Sequence, residues 1–128
     1  MENYQAAAQL AMIEKVTDGM VRSVRVPGHE TINVVYLRRL PGNTIEAECR
    51  RRTEVGDTFC PAYEHGLVCY HSQAAVVVAA KAQGHRIVGW ARTRAKATAL
   101  LNLRQFHGCR IGHLVPRGSS RAKYFLWR

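Results

Sequence analysis

From His65 to Arg128 the chain contains no acidic residue. Residues 1 to 64 hold 8 Lys/Arg and 9 Asp/Glu, a balance of −1, while residues 65 to 128 hold 11 Lys/Arg and none, a balance of +11. A polycationic half predicts a polyanionic partner, and inside a cell the commonest is nucleic acid, bound with release of counterions. The alternatives are a basic face that only keeps the protein in solution, or one that meets a protein with an acidic surface. Other absences narrow the class further. No apolar run approaches the roughly 18 residues of a membrane span, and the opening MENYQAAAQLAMIEKV has acidic and amide residues where a secretion signal would be basic. An intracellular protein of the cytoplasm, nucleoid or nucleus, with no membrane partner, is expected. There, four cysteines point to metal binding or plain burial before a disulfide framework. No glycine-rich phosphate loop and no Gly-x-Ser-x-Gly elbow occurs. Cys109, with His107 and His113 close by in sequence, is a nucleophile candidate only by adjacency, which is not the arrangement catalysis needs. No enzyme activity is expected.

What is present is enough for a core: 47% hydrophobic residues in 128, about one domain. The spacing of Ala6, Leu10, Ile13 and Val16 predicts an amphipathic helix from Asn3 to Asp18, stopped by Gly19. MVRSVRVPG and TINVVYLRRL read as strands, and Pro41-Gly42-Asn43 as the turn of a hairpin into a strand over 44–49, with Cys49 at its end. SQAAVVVAAKAQG predicts a helix over 71–83 with His71 in its first turn. A second helix is expected over 90–107, with Ala91, Ala95, Ala99, Leu103 and Phe106 as its stripe and Arg92, Arg94, Lys96 and Arg104 off it. Two apolar segments, 110–115 and 122–127, flank Pro116, Gly118, Ser119 and Ser120 and predict a terminal β-hairpin with a basic tip.

Cys60, Cys69 and His71 fall within twelve residues, CPAYEHGLVCYH. A structural zinc ion takes four soft or borderline ligands in a tetrahedron. Cys69-x-His71 is a tight pair entering a helix, Pro61 fixes the backbone after Cys60, and Cys49 supplies the fourth donor from its strand. If Cys49 is not a ligand, His65, His85, His107 or Cys109 must replace it. The alternative is that the cysteines are small buried apolar side chains and His71 a satisfied core histidine. Four protein ligands leave no open position for water, and the His-x-Glu and Pro-Cys-x-x-Cys elements of a zinc deaminase are missing, so a zinc ion here is expected to be structural.

The segment FCPAYEHGLVCYHSQAAVVVA, preceded by VRVPGHETINVVYL, resembles the SWIM zinc finger: Cys-x-Cys, often followed by Pro, then a loop, then Cys-x-His opening a helix of small apolar residues. The resemblance covers roughly residues 21 to 80. It departs from the pattern in one respect, since ten residues, RRRTEVGDTF, stand between the first two cysteines where the family has one. The resemblance implies a ββα zinc module and a role in binding DNA or protein partners. The expected protein is α+β and a single compact domain over 1–128. It has an N-terminal helix, a small antiparallel sheet, a SWIM-like zinc module over 21–84, and a basic helix plus hairpin over 85–128. It is expected to bind nucleic acid, DNA ahead of RNA. Arg50, Arg51 and Arg52 could clamp phosphates, and Arg92, Arg94, Lys96, Arg104, Arg110, Arg117, Arg121 and Lys123 form the larger candidate surface. A protein-interaction adaptor, or an accessory subunit of a DNA recombination, transposition or transcription complex, is the alternative function. Trp90, Tyr124, Phe125 and Trp127 are expected in the core and not in base stacking.

Overall fold

A computed structural model describes residues 3–28 and 31–128. The chain runs α1 (Asn3–Leu10), β1 (Met12–Thr17), β2 (Met20–Pro27), β3 (Ile32–Leu40), β4 (Thr44–Thr53), β5 (Gly56–Phe59), α2 (Pro61–Glu64), α3 (Tyr70–Ala82), β6 (Ile87–Ala91), α4 (Arg94–Leu101), a 3-10 turn (Arg104–Phe106), β7 (Arg110–Pro116) and β8 (Lys123–Trp127). The fold is α+β and mostly sheet. All eight strands join one sheet in the order β1-β2-β3-β4-β7-β8-β6, with β5 also paired to β4. The expected small antiparallel sheet is therefore corrected: the terminal hairpin β7–β8 extends the first sheet, through a parallel pairing of β4 with β7 from Thr44↔His113 to Ala47↔Pro116.

Cross-strand register fixes which residues share a face. Val24 lies opposite Val35, and Val35 opposite Cys49. By the two-residue period of a strand, Val26, Asn33, Leu37 and Ala47 point the same way. α3 packs over β2, β3 and β4 on this side, and α1 leans on α3. Val24, Val26 and Val35 are fully buried there, each contributing about 1.5–3 kcal/mol of hydrophobic stabilisation. On the opposite face α4 packs against β6, β7 and β8, and Phe106 of the 3-10 turn lies beside Gly89 of β6. The rest of that face carries Glu14, Arg25, Arg38, Glu46, Glu48, Arg50 and Arg52, with Tyr36 and the fully buried Val34 between them by register.

Three boundaries differ from the sequence reading. The opening helix stops at Leu10, and Met12–Thr17 is strand β1. Asp18 and Gly19 both have positive φ, 54° and 74°, the two-residue turn that joins strands with the native twist; Gly19 ends a strand here, not a helix. The basic helix expected over 90–107 is also divided. Trp90 and Ala91 pair with Phe125 and Tyr124 in the sheet, and the Thr93 hydroxyl accepts from Lys96 N–H to cap a helix that starts only at Arg94. Within that helix Ala97 is the buried residue, while Ala95 and Ala99 of the expected stripe face solvent. Lastly, Cys49 does not end β4, which continues to Thr53. The predicted hairpin at Pro41-Gly42-Asn43, the helix from about residue 71 and the terminal hairpin are all present.

Candidate metal centre

The ten-residue insert is a β-hairpin. Arg50 pairs with Phe59, Arg51 with Thr58, Arg52 with Asp57 and Thr53 with Gly56. Continuing that register by one step brings Cys60 opposite Cys49, and Cys60 N–H donates to Cys49 C=O at 3.2 Å. A long excursion thus closes on itself and returns the second cysteine to the first. Cys49 also sits where β4 changes partner, from β7 below it to β5 above, so its side chain faces α3 from a gap between two pairings. Cys60 is the N-cap of the short helix α2, with Pro61 next. Cys69 caps α3, its sulfur accepting from Ser72 N–H at 3.4 Å, and His71 follows in the first turn.

These elements bring Cys49, Cys60, Cys69 and His71 together. All four are buried, and their donor atoms lie within 4.8 Å of one another. Cys60 Sγ is 3.7 Å from His71 Nδ1. Zn–S bonds of about 2.3 Å and Zn–N bonds of about 2.0–2.1 Å give a tetrahedron with edges of about 3.5–3.8 Å, so a small inward contraction suffices for coordination. All four cysteines of the chain are free thiols. Three thiols and one imidazole, buried and convergent, are a donor set that can hold a metal ion such as zinc and are compatible with a zinc finger. Among the described residues His65, His85, His107 and Cys109 stand outside this group. His85 instead packs against the Trp127 ring at 4.9 Å, and Cys109 takes an Arg128 N–H at 3.9 Å.

Crowding perturbs the protonation of the donors. Hydrogen bonds from Cys49 and Cys69 hold the Cys60 thiol far below its ordinary pKa, while hydrogen bonds to Cys60 and Cys69, with burial, push Cys49 far above. Burial lowers the pKa of His71, but hydrogen bonding to the Cys60 and Cys69 sulfurs outweighs it and lifts the imidazole to about 9.

One neighbour was not singled out from the sequence. Asn33 on β3 is fully buried, its Nδ2 3.1 Å from His71 Nε2 and 3.3 Å from Thr31 Oγ1, and its Oδ1 has no partner. The available signal was an amide in phase with the apolar face of TINVVYL, where alternation asks for a valine or leucine.

The eleven cations proposed for nucleic acid do not form one patch. Arg50 binds Glu48 at 3.1 Å and lies over the Phe59 ring, and Arg52 pairs with Glu14 at 3.4 Å. Arg51 projects to the opposite face with its Nε buried. Arg92, Arg94, Lys96 and Arg104 stand exposed on and around α4. Burial, with the nearby Arg94 charge, holds the pKa of His113 below its ordinary value. Arg110 stacks on Trp127 at 5.6 Å, Arg117 reaches Glu48 at 3.6 Å, Lys123 donates to Gln73 at 3.2 Å, and Arg121 lies exposed in the β7–β8 loop. Trp90 packs between Tyr4 and Phe125. Among the described residues no helix is long and apolar enough to cross a membrane. Compared with protein-family models, curated proteins and solved structures, the chain matches none.

Proposed function

We propose that the chain is a small nucleic-acid-binding protein whose SWIM-like module is stapled by one zinc ion on Cys49, Cys60, Cys69 and His71. Zinc is the metal favoured by three thiolates and an imidazole in a tetrahedral site. The convergence of those donors carries the metal reading. Four protein ligands leave the ion no open position, so its role is structural and the protein is not an enzyme. The SWIM-like Cys-x-His pair opens α3, and the hairpin β4–β5 does the work of the single residue that separates the first two cysteines in that family.

Nucleic acid, DNA ahead of RNA, is the partner that suits eleven cations without an acid in residues 65–128. Exposed Arg92, Arg94, Lys96 and Arg104 are the centre of that surface. The test is binding of the zinc-loaded full chain to duplex DNA and RNA of equal length across a salt series. Log K should fall linearly with log salt, by about 0.9 per phosphate contact on duplex DNA; a flat salt response would remove the reading. Exposed Leu10, Met12 and Val16 at and beside edge strand β1, 67%, 66% and 55% accessible, favour the second reading, an adaptor or accessory subunit of a DNA-processing complex. That reading predicts salt-insensitive capture of one defined protein through β1.

A further inference from the structure

We infer that Asn33 is a positioning residue for the metal, its side-chain carbonyl accepting the outer N–H of His71 beside Gly28, which follows the end of β2. This rests on the reading of the four donors as a metal site.

The geometry starts from His71. Its Nδ1 faces Cys60 Sγ at 3.7 Å, so Nδ1 is the nitrogen that points into the donor group. A ligating nitrogen must present a lone pair, which leaves the ring proton on Nε2. That nitrogen is buried with its ring, and the contact it makes is the Asn33 amide at 3.1 Å. A metal-bound histidine ordinarily donates this second N–H to a carbonyl or carboxylate, which fixes the tautomer and the ring plane. Nδ2 of Asn33 faces Nε2, while its Oδ1 is buried with no partner. The two amide atoms are nearly interchangeable in shape. A half-turn of the amide brings the idle oxygen to Nε2–H and to the Thr31 hydroxyl, which stands 3.3 Å from the same amide position. The acceptor that Nε2–H needs is thus a group already in place.

Gly28 leaves the space this arrangement needs. A Cβ at Gly28 would lie 2.5 Å from Thr31 Oγ1, 2.6 Å from Asn33 Nδ2 and 3.2 Å from His71 Nε2. Gly28 N–H meanwhile donates to Thr31 C=O at 2.8 Å and closes the turn. Any side chain at 28 must displace the amide, the hydroxyl or the imidazole. Gly28, Thr31 and Asn33 therefore act as one outer shell around His71.

The experiment uses the full chain loaded with zinc. Long-range 15N spectra of the wild type should show His71 bound through Nδ1 and carrying its proton on Nε2. Competition with a chelator should give a zinc affinity about 10–100-fold weaker for Asn33→Leu, while Asn33→Asp, which keeps an acceptor, stays within a few-fold of wild type. Gly28→Ala should weaken zinc as Asn33→Leu does, because the added Cβ would press on the Asn33 amide and the His71 ring. Wild-type affinity in Asn33→Leu, equal loss in Asn33→Asp, or ligation through Nε2 overturns the inference and leaves the zinc site standing. If Asn33→Leu does not fold, the wild-type spectrum decides alone. A wild type that binds no metal overturns the site and this inference together.

Discussion

One sheet carries two electrostatic regimes. On the open face of β1 to β5, Arg25 and Arg52 share Glu14, Arg38 meets Glu46, Arg50 meets Glu48 and Arg52 also nears Asp57. Across β6 to β8 and α4 there is no acid to meet, and Arg117 is the cation that reaches back, to Glu48. The first region neutralises its arginines as part of its own surface. The second leaves Arg92, Arg94, Lys96 and Arg104 exposed, with no acid in their half of the chain. The candidate metal donors belong to neither surface: they come from β4, the β5–α2 junction and the start of α3, and lie buried under α3.

Removing the metal should separate the two regions most strongly. Zinc at about 1,000 times its Kd adds about 4 kcal/mol to the folded state, so chelation is expected to lower Tm by about 10–20 °C. Hydrogen exchange should show protection lost first in β4, β5 and the first turn of α3, with β7 and β8 following. Cys49→Ser and Cys69→Ser should reproduce this and drop zinc content from one per chain toward none by elemental mass spectrometry. Equal loss of protection in both regions would show that the metal holds the whole sheet. The next effect in size concerns binding: replacing Arg92, Arg94 and Lys96 together with glutamine should make the salt slope on duplex DNA shallower by about 2–3. The same replacement at Arg25, Arg38 and Arg52 should leave the slope unchanged.

The parts legible in the sequence were those where rare residue types coincide with tight spacing. Cys60, Cys69 and His71 within one short segment announced a donor group, and Pro116 with Gly118 announced the terminal hairpin. Helical spacing misled twice. Ala6, Leu10, Ile13 and Val16 satisfy a helical period, yet Ile13 and Val16 are β-branched and Asp18-Gly19 is a hairpin turn as well as a helix stop. Trp90 and Ala91 fitted a stripe whose real start is the cap at Thr93, and strand β6 exists only because β8, more than thirty residues on, offers it a partner. The insert between Cys49 and Cys60 showed no strand pattern because its residues are polar on both faces, Arg51 and Thr58 on one and Arg52 and Asp57 on the other. Pairing across Glu54-Val55 needs knowledge of the register. Asn33 was hidden for a similar reason: a single amide in a strand gives no sign of what it faces until α3 is laid over it.

The pH dependence sharpens the contrast between loaded and empty protein. In the metal-free cluster His71 titrates near 9 against an ordinary 6.5. Its contribution is complete below 6.5 and lost as pH rises through about 9. The depressed Cys60 thiol, ordinarily 9.0, contributes fully above that value and progressively less as pH falls. Between 6.5 and 9 the folded cluster holds its proton on His71 and the unfolded chain holds it on Cys60, so the two slopes cancel. Above 9.0 the raised Cys49 thiol adds to the loss. Metal-free Tm should thus form a plateau between about pH 6.5 and 9 and decline on both sides. Zinc-loaded Tm should fall on acidification below neutral, because protons compete with metal for all four donors. Melting curves of both forms across pH test this directly; an empty protein with a steep slope inside the plateau would mean that the proton is not shared between Cys60 and His71.

The smallest effect is the one that tests the comparison most closely. Arg38 lies 3.7 Å from Glu46 with its side chain 65% exposed. Such pairs contribute about 0–1 kcal/mol, because solvent screens the attraction and ordering two long side chains opposes it. Arg38→Gln should therefore move Tm by no more than about 2–4 °C. Arg94→Gln, also at an exposed position, should move it as little. In DNA affinity the two should part: Arg94→Gln weakens binding and shortens the salt slope by about 1, while Arg38→Gln does neither. If both weaken binding alike, the acids of the first region do not neutralise its arginines toward a partner, and the nucleic-acid surface must run across the open sheet face as well as α4. If neither does, the exposed cations of α4 are not the contact, and Arg110 with the β7–β8 loop becomes the surface to test.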